Sequence, residues 1–332
     1  MPDTIGFLCN PHARPLSSLL MISPIDRRNF LSTAAATAAA TAATAATAAT
    51  AAASSYVAAA ARTTKRRKVK LLKAVKYGMV AGKGSVQEKF QVLVDAGFAG
   101  VDINVRLDHD EVKRARDKTG LAVHGVVGYD HWRKPFSHPD KQIREQGRES
   151  FLGAIRDAKA YGANSALLVP GVCNKQVAYQ DAYTRSQAEI RKCLPLAEKL
   201  GIQILIENVW NNFLLSPIET ARFVDELKSP MVGVYFDVGN VVRFGWPEQW
   251  ITVLGERIKK LDIKEYSRKL QNQKGPYAGF GVKIGDGDCD WPAVMKALAT
   301  IRFSGWATAE VRGGDAARLK DISQRMDRAF AV

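Results

Sequence analysis

Four carboxylates close apolar runs in the second half of the chain. They are Glu207 in Ile204-Leu205-Ile206-Glu207-Asn208, Asp237 in Tyr235-Phe236-Asp237-Val238-Gly239-Asn240, Asp262 in Leu261-Asp262-Ile263-Lys264-Glu265-Tyr266, and Glu310 in Thr308-Ala309-Glu310-Val311-Arg312. A carboxylate embedded in an apolar strand is costly unless it is paired or bound to a metal. Four of them gathered at one place call for a cation. An all-oxygen donor set is hard, which favours Mn2+ or Mg2+, while Zn2+ and Co2+ are also compatible with such a site.

The elements that must position these groups repeat along the chain after Lys70: a short β-branched or apolar run, a loop, then a segment with apolar residues at helical spacing. The runs predict strands at Leu71 to Val80, Gly100 to Val105, Ala122 to Val127, Ser165 to Val169, Ile202 to Asn208, Val232 to Asp237, Ile258 to Lys264 and Trp306 to Val311. The helices predicted between them include Val86 to Ala96, Glu145 to Tyr161, Arg185 to Leu200, Ile218 to Leu227, Trp291 to Thr300 and Ala316 to Phe330. Gly97, Gly120, Gly162 and Gly201 stand where a helix would stop and turn back. Alternating strands and helices over roughly 260 residues have the size of a closed (β/α)8 TIM barrel, an α/β fold whose chemistry sits at the C-terminal ends of the strands. A dinucleotide-binding sheet is excluded, because the segment Gly78 to Gly84 lacks the G-x-G-x-x-G spacing.

Composition narrows the class further. The 332 residues are 46% hydrophobic and 24% charged, an ordinary globular balance. Cys9, Cys173, Cys193 and Cys289 form no C-x-x-C pair and suggest buried free thiols. The net charge of +15 is concentrated, with eight basic residues and no acid between Arg62 and Lys76. That uneven distribution argues against a nucleic-acid surface and for a solvated basic linker over residues 62–69. Residues 1–61 read as a twin-arginine export signal: Arg27-Arg28-Asn29-Phe30-Leu31, a mildly apolar Ala/Thr stretch, and small residues near Ala60 for cleavage. The chain is therefore expected to be exported by the twin-arginine route to the periplasm or beyond, with residues 70–332 as the TIM-barrel domain. The Ala/Thr stretch is too weakly apolar for a permanent membrane span.

The stretch from about Lys70 to Phe330 resembles the sugar phosphate isomerase/epimerase family, whose barrel is like that of xylose isomerase. The resemblance rests on Ile206-Glu207-Asn208, Phe236-Asp237-Val238-Gly239-Asn240, Ile263-Lys264-Glu265-Tyr266, Gly285-Asp286-Gly287-Asp288-Cys289-Asp290-Trp291 and Ala309-Glu310-Val311. It implies that Glu207, Asp237 and Glu310 hold a divalent metal, with Glu207 and Glu310 also exchanging protons with the substrate. Asp262 falls where the family carries a histidine ligand, and Asn240 where many members carry a substrate-contacting histidine. His124 either matches a family position near the substrate or is a packing histidine of the core. Lys264 is placed either to meet a substrate oxygen or to pair with Glu207 or Asp262, and Trp210 either to stack on a sugar face or to wall off solvent. Asp102 is expected to end strand two, and His131, Trp132 and Arg133 to form part of a lid.

The implied activity is a metal-dependent isomerisation or epimerisation of a sugar, sugar phosphate or keto-polyol through an enediolate. Loss of a β-hydroxyl from the same intermediate would make it a dehydratase or lyase on an oxidised sugar or inositol, and a barrel without turnover would be a sugar-binding protein. The related endonucleases acting on abasic DNA need a rich histidine set, whereas here only His109, His124, His131 and His138 follow the leader. The expected partner is thus a small sugar rather than nucleic acid, and a homo-oligomer is compatible with the sequence.

Overall fold

The computed structural model describes residues 69–332. The leader at 1–61 and nearly all of the linker lie outside the described residues. Eight parallel strands form a closed barrel in sequence order: β1 (Lys70–Lys76), β2 (Gly100–Ile103), β3 (Ala122–Val127), β4 (Ser165–Leu168), β5 (Gln203–Glu207), β6 (Val232–Asp237), β7 (Ile258–Ile263) and β8 (Ser304–Ala309). Closure is made by β8 against β1, from Lys70 beside Ser304 to Val75 beside Ala309.

The outer ring comprises α1 (Val86–Asp95), α2 (His109–Thr119), α3 (Lys141–Tyr161), α4 (Tyr179–Leu200), α5 (Pro217–Asp225), the short α6 (Val238–Val242), α7 (Pro247–Leu254), α8 (Arg268–Lys274), α9 (Trp291–Thr300) and α10 (Ala316–Phe330). Ser85 and Glu88 make a reciprocal capping box on α1, and Asp108, Asp140, Ser216, Asp290 and Asp315 cap later helices with their side chains. Gly120, Gly162 and Gly201 stop α2, α3 and α4 in the left-handed conformation, as their positions predict. Among the described residues, no helix is long and apolar enough to cross a membrane.

The main apolar core lies between strands and helices and includes Val101, Val126, Leu168, Ile206, Phe236 and Leu261. Inside the barrel the apolar contribution is small, with Leu167, Leu205 and Tyr235 packed on Val127. The rest of the interior is polar, where such barrels usually pack branched aliphatics. Lys76 at the end of β1 lies between Asp102 of β2 and Asp262 of β7, with Nζ at 2.9 Å and 3.0 Å from their oxygens, and all three side chains are buried. The Tyr235 hydroxyl donates to Asp102 at 3.1 Å and lies 2.7 Å from Thr308 Oγ1, which is in turn 3.2 Å from His124 Nε2. Lys260 of β7 donates to Ser165 Oγ at 2.7 Å and to the His124 carbonyl oxygen, with His124 Nδ1 at 3.2 Å.

Burial is the main force on these groups. It drives His124 well below the ordinary histidine range, helped by the Lys260 and Lys76 charges, so the ring is neutral. It also lowers Lys260 to about 7, against partial compensation from Asp102. Below about pH 7 both the folded and the unfolded chain hold the Lys260 proton, and the cost of burying the ammonium is present in full. Between about 7 and the ordinary lysine value of 10.5 only the unfolded chain binds that proton, so stability rises with pH. The unfolding free energy of the wild type minus that of Lys260→Met should therefore climb across this window by about 1 kcal/mol per pH unit. Urea titrations at pH 6 to 9 measure it, and a pH-independent difference would refute the assignment.

Candidate active site

Glu207 and Asp237 are the last residues of β5 and β6, Asp262 is the penultimate residue of β7, and Glu310 follows β8 directly. Parallel register brings them to the same rim: Glu207 pairs with Tyr235, Asp237 with Asp262, and Asp262 with Thr308. One oxygen from each of the four carboxylates lies within 4.8 Å of those of the others.

Each carboxylate is held differently. Asp237 Oδ1 accepts from Asn240 N at 2.8 Å and caps α6, which leaves Oδ2 facing the cluster. Asn208 fixes the same residue from β5, accepting from the Asp237 N–H and donating to its carbonyl oxygen, both at 2.8 Å. Lys264, just past β7, extends into the centre of the cluster. Its Nζ is 2.5 Å from Glu310 Oε2, 2.7 Å from Asp237 Oδ2 and 4.0 Å from Glu207 Oε1.

The electrostatic consequence is a split between the two glutamates. Burial, followed by repulsion from Glu310, lifts Glu207 well above the usual carboxylate range. Burial also acts to raise Glu310, but the Lys264 ammonium and then Lys76 overcome it and hold Glu310 below its ordinary value. One carboxylic acid and one carboxylate thus face each other across the mouth, on β5 and β8, the arrangement that assigns acid and base roles.

The donor set fits a hard divalent cation. Asp237 Oδ2 and both Asp262 oxygens are buried and accept no well-directed hydrogen bond, even though an ammonium lies close to each residue. Carboxylates also outnumber the ammonium groups around them, since Lys76 and Lys264 face Glu207, Asp237, Asp262, Glu310 and Asp102.

The remaining sequence candidates have other surroundings. The Asn240 side chain donates to Asn208 O at 3.0 Å and ties the β5 and β6 ends together. Trp210 donates to Asn240 O at 2.8 Å, and its ring is packed by Tyr266, Tyr277 and Phe280 with Arg243 over its face, which makes it a wall of the mouth. His124 faces the barrel interior, where Lys260 and Thr308 occupy its ring nitrogens and Trp306 stacks at 4.5 Å. Asp102 is likewise committed to Lys76 and Tyr235. His131 accepts the Val169 N–H through Nδ1 at 3.3 Å, and burial lowers it to about 4, so it is a neutral ring.

Three positioning residues escaped the sequence reading. Lys76 falls inside the first predicted strand, although a lysine that closes an apolar run is the same kind of signal as the strand-end carboxylates. Asn208 and Glu265 were visible only as motif letters. Glu265 is buried and accepts from Gly285 N, Cys289 N and Trp291 Nε1 at 2.7 to 3.0 Å, which pins the glycine-rich segment 285–291 against the end of β7. Gly287 is required there, because a Cβ would come within 2.6 Å of Glu265 Oε1 and the Tyr266 carbonyl oxygen.

Fold and site together define a closed parallel α/β barrel with a carboxylate cluster at its C-terminal mouth. The family model for the xylose isomerase-like TIM barrel matches residues 90–329, and the chain belongs to that family. A protein of Escherichia coli (strain K12), provisionally named L-ribulose-5-phosphate 3-epimerase, is 25% identical over 236 residues, covering 66% of this chain and 80% of that protein. Two solved structures share the fold. An L-ribulose 3-epimerase has a TM-score of 0.65 at 15% identity, covering 79% of this chain and 95% of its own. The 3-keto-D-glucoside 4-epimerase of E. coli has a TM-score of 0.66 at 16% identity, covering 79% and 100%.

Proposed function

We propose that the chain is a divalent-metal-dependent sugar epimerase or isomerase that moves a proton at the carbon beside a carbonyl. The observation that carries this reading is the convergence of Glu207 and Glu310, from β5 and β8, on one carboxylate cluster at the barrel mouth, in which only Glu310 is partly exposed. The names of the relatives, which are epimerases of keto sugars or their phosphates, support the same reaction class. A divalent cation held by Glu207, Asp237 and Glu310, with Asp262 adjacent, would polarise the substrate carbonyl and its neighbouring hydroxyl and so acidify the intervening C–H.

The chain's own residues supply the proton path. Glu310, on the rim just past β8, removes the proton from one face; the C–H electron pair passes into the enediolate. Glu207, at the end of β5, returns a proton to the other face, which inverts the carbon. Return at the neighbouring carbon, with the hydroxyl proton passing to the former carbonyl oxygen, would interconvert aldose and ketose. Asn208 and Asn240 hold Asp237 in register, and the Trp210 wall limits water at the mouth.

The twin-arginine reading of residues 1–61 supports action outside the cytoplasm, and hence on a free rather than a phosphorylated sugar. The test is a panel of free ketoses and their phosphates incubated with the Mn2+-loaded protein, with epimers and aldoses separated by chromatography. A new isomer from at least one free ketose is expected. Water-eliminated products in place of isomers would move the reaction to dehydration, and binding without any product would reduce the barrel to a sugar-binding protein.

A further inference from the structure

We infer that Lys264 and the divalent cation compete for one place: the Lys264 ammonium is a built-in counter-ion that fills the carboxylate cluster, and metal loads only as this side chain withdraws. The inference rests on the metal reading above and deepens it. Its basis is geometric. Nζ lies against Glu310 and Asp237 and within 4.0 Å of Glu207, so it occupies the space between three of the four donors. An ammonium and a divalent cation separated by a few ångströms in a partly dehydrated pocket repel strongly, so the two do not share the cluster.

The backbone cannot be what moves. Gly239 packs so closely on Lys264 that a Cβ there would lie 2.4 Å from Lys264 Cβ and 2.9 Å from its carbonyl carbon, which locks the start of α6 against the end of β7. The freedom lies in the four-carbon stem, which a lysine can redirect without disturbing its main chain. The side chain is 17% exposed, so an outward path to solvent exists at the mouth. Lys76 has no such freedom, because its ammonium is wedged between Asp102 and Asp262 with 1% exposure. The two lysines that contact the carboxylate cluster therefore differ in kind: Lys76 is permanent and Lys264 is exchangeable.

A neutral side chain at position 264 should tighten metal binding by about tenfold or more, because the metal no longer displaces a charge. The test uses the full chain stripped with EDTA and titrated with Mn2+ by calorimetry, with free Mn2+ followed by its electron paramagnetic resonance signal. Wild type, Lys264→Met, Lys264→Gln and Lys264→Arg are compared, Gln serving where Met does not fold. Tighter binding in Met or Gln, with Arg binding as weakly as the wild type, is the expected result, and Mn2+ should raise the melting temperature of the neutral variants more than that of the wild type. Equal affinity in wild type and neutral variants would overturn the competition while leaving the metal site intact. Arg binding as tightly as Met would also overturn it, and an absence of Mn2+ binding in every variant would remove the metal reading and this inference together.

Discussion

Glu207→Gln and Glu310→Gln should each lower epimer formation by about 10²- to 10⁴-fold, the loss typical of removing a positioned acid or base. The two variants should also differ in a way that a general loss of structure cannot imitate. With Glu207 replaced, Glu310 still removes a proton and returns it to its own face, so solvent hydrogen enters the substrate without inversion. With Glu310 replaced, the group that removes the proton from that face is gone, and exchange should fall together with turnover. Proton nuclear magnetic resonance in D2O separates the two outcomes, with metal content measured in parallel because both residues are candidate ligands. Near-wild-type epimer formation in either variant would remove that residue from the proton path.

The second large effect concerns stability. Lys76→Met removes the only cation in contact with Asp102 and Asp262 among the described residues, and both carboxylates have no exposure to solvent. Breaking a buried pair from one side leaves an uncompensated charge and costs about 3–5 kcal/mol. Converting one carboxylate as well, in Lys76→Met with Asp262→Asn, should restore part of that loss, since removing both partners is far less costly than removing one. Urea unfolding of the four forms, including Asp262→Asn alone, gives the coupling between the two sites. A Lys76→Met variant within about 1 kcal/mol of the wild type would show that the interior tolerates the unpaired charges.

Much of the framework was legible because its signals are local. The runs Ala122–Val127 and Val232–Asp237 are β3 and β6 to the residue, and Trp291–Thr300 and Ala316–Phe330 are α9 and α10. Other boundaries shifted for identifiable reasons. The first strand stops at Lys76 because the chain turns into a 3-10 helix at Tyr77–Met79. The last strand begins at Ser304 and ends at Ala309, which leaves Glu310 on the rim just beyond it. Helix α4 begins at Tyr179, ahead of the predicted Arg185, because its first turns are polar and carry little helical periodicity. Helix α2 is almost wholly polar, with only Val112 and Ala115 buried, so Gly120 marks its end while hydrophobic spacing gives no sign of its start.

The carboxylates of the site could be read from the sequence because each interrupts an apolar run. Their counter-charges could not. Lys76 meets Asp262 across the barrel from the far end of the chain, and Lys264 meets Glu310 only after β7 and β8 pair. Sequence spacing carries no sign of which cation reaches which acid. The same closure explains His124: its place on β3 is a strand position like the others, yet Lys260 and Thr308 occupy both of its ring nitrogens and Trp306 covers the ring.

Solvent hydrogen exchange is the most direct measurement of the central claim, that two glutamates at this mouth move a proton beside a carbonyl. The Mn2+-loaded wild type should introduce deuterium from D2O at a single carbon adjacent to the carbonyl of a ketose, with the epimer at that carbon appearing alongside. A fully loaded, folded protein that leaves every ketose and ketose phosphate unlabelled would contradict the account.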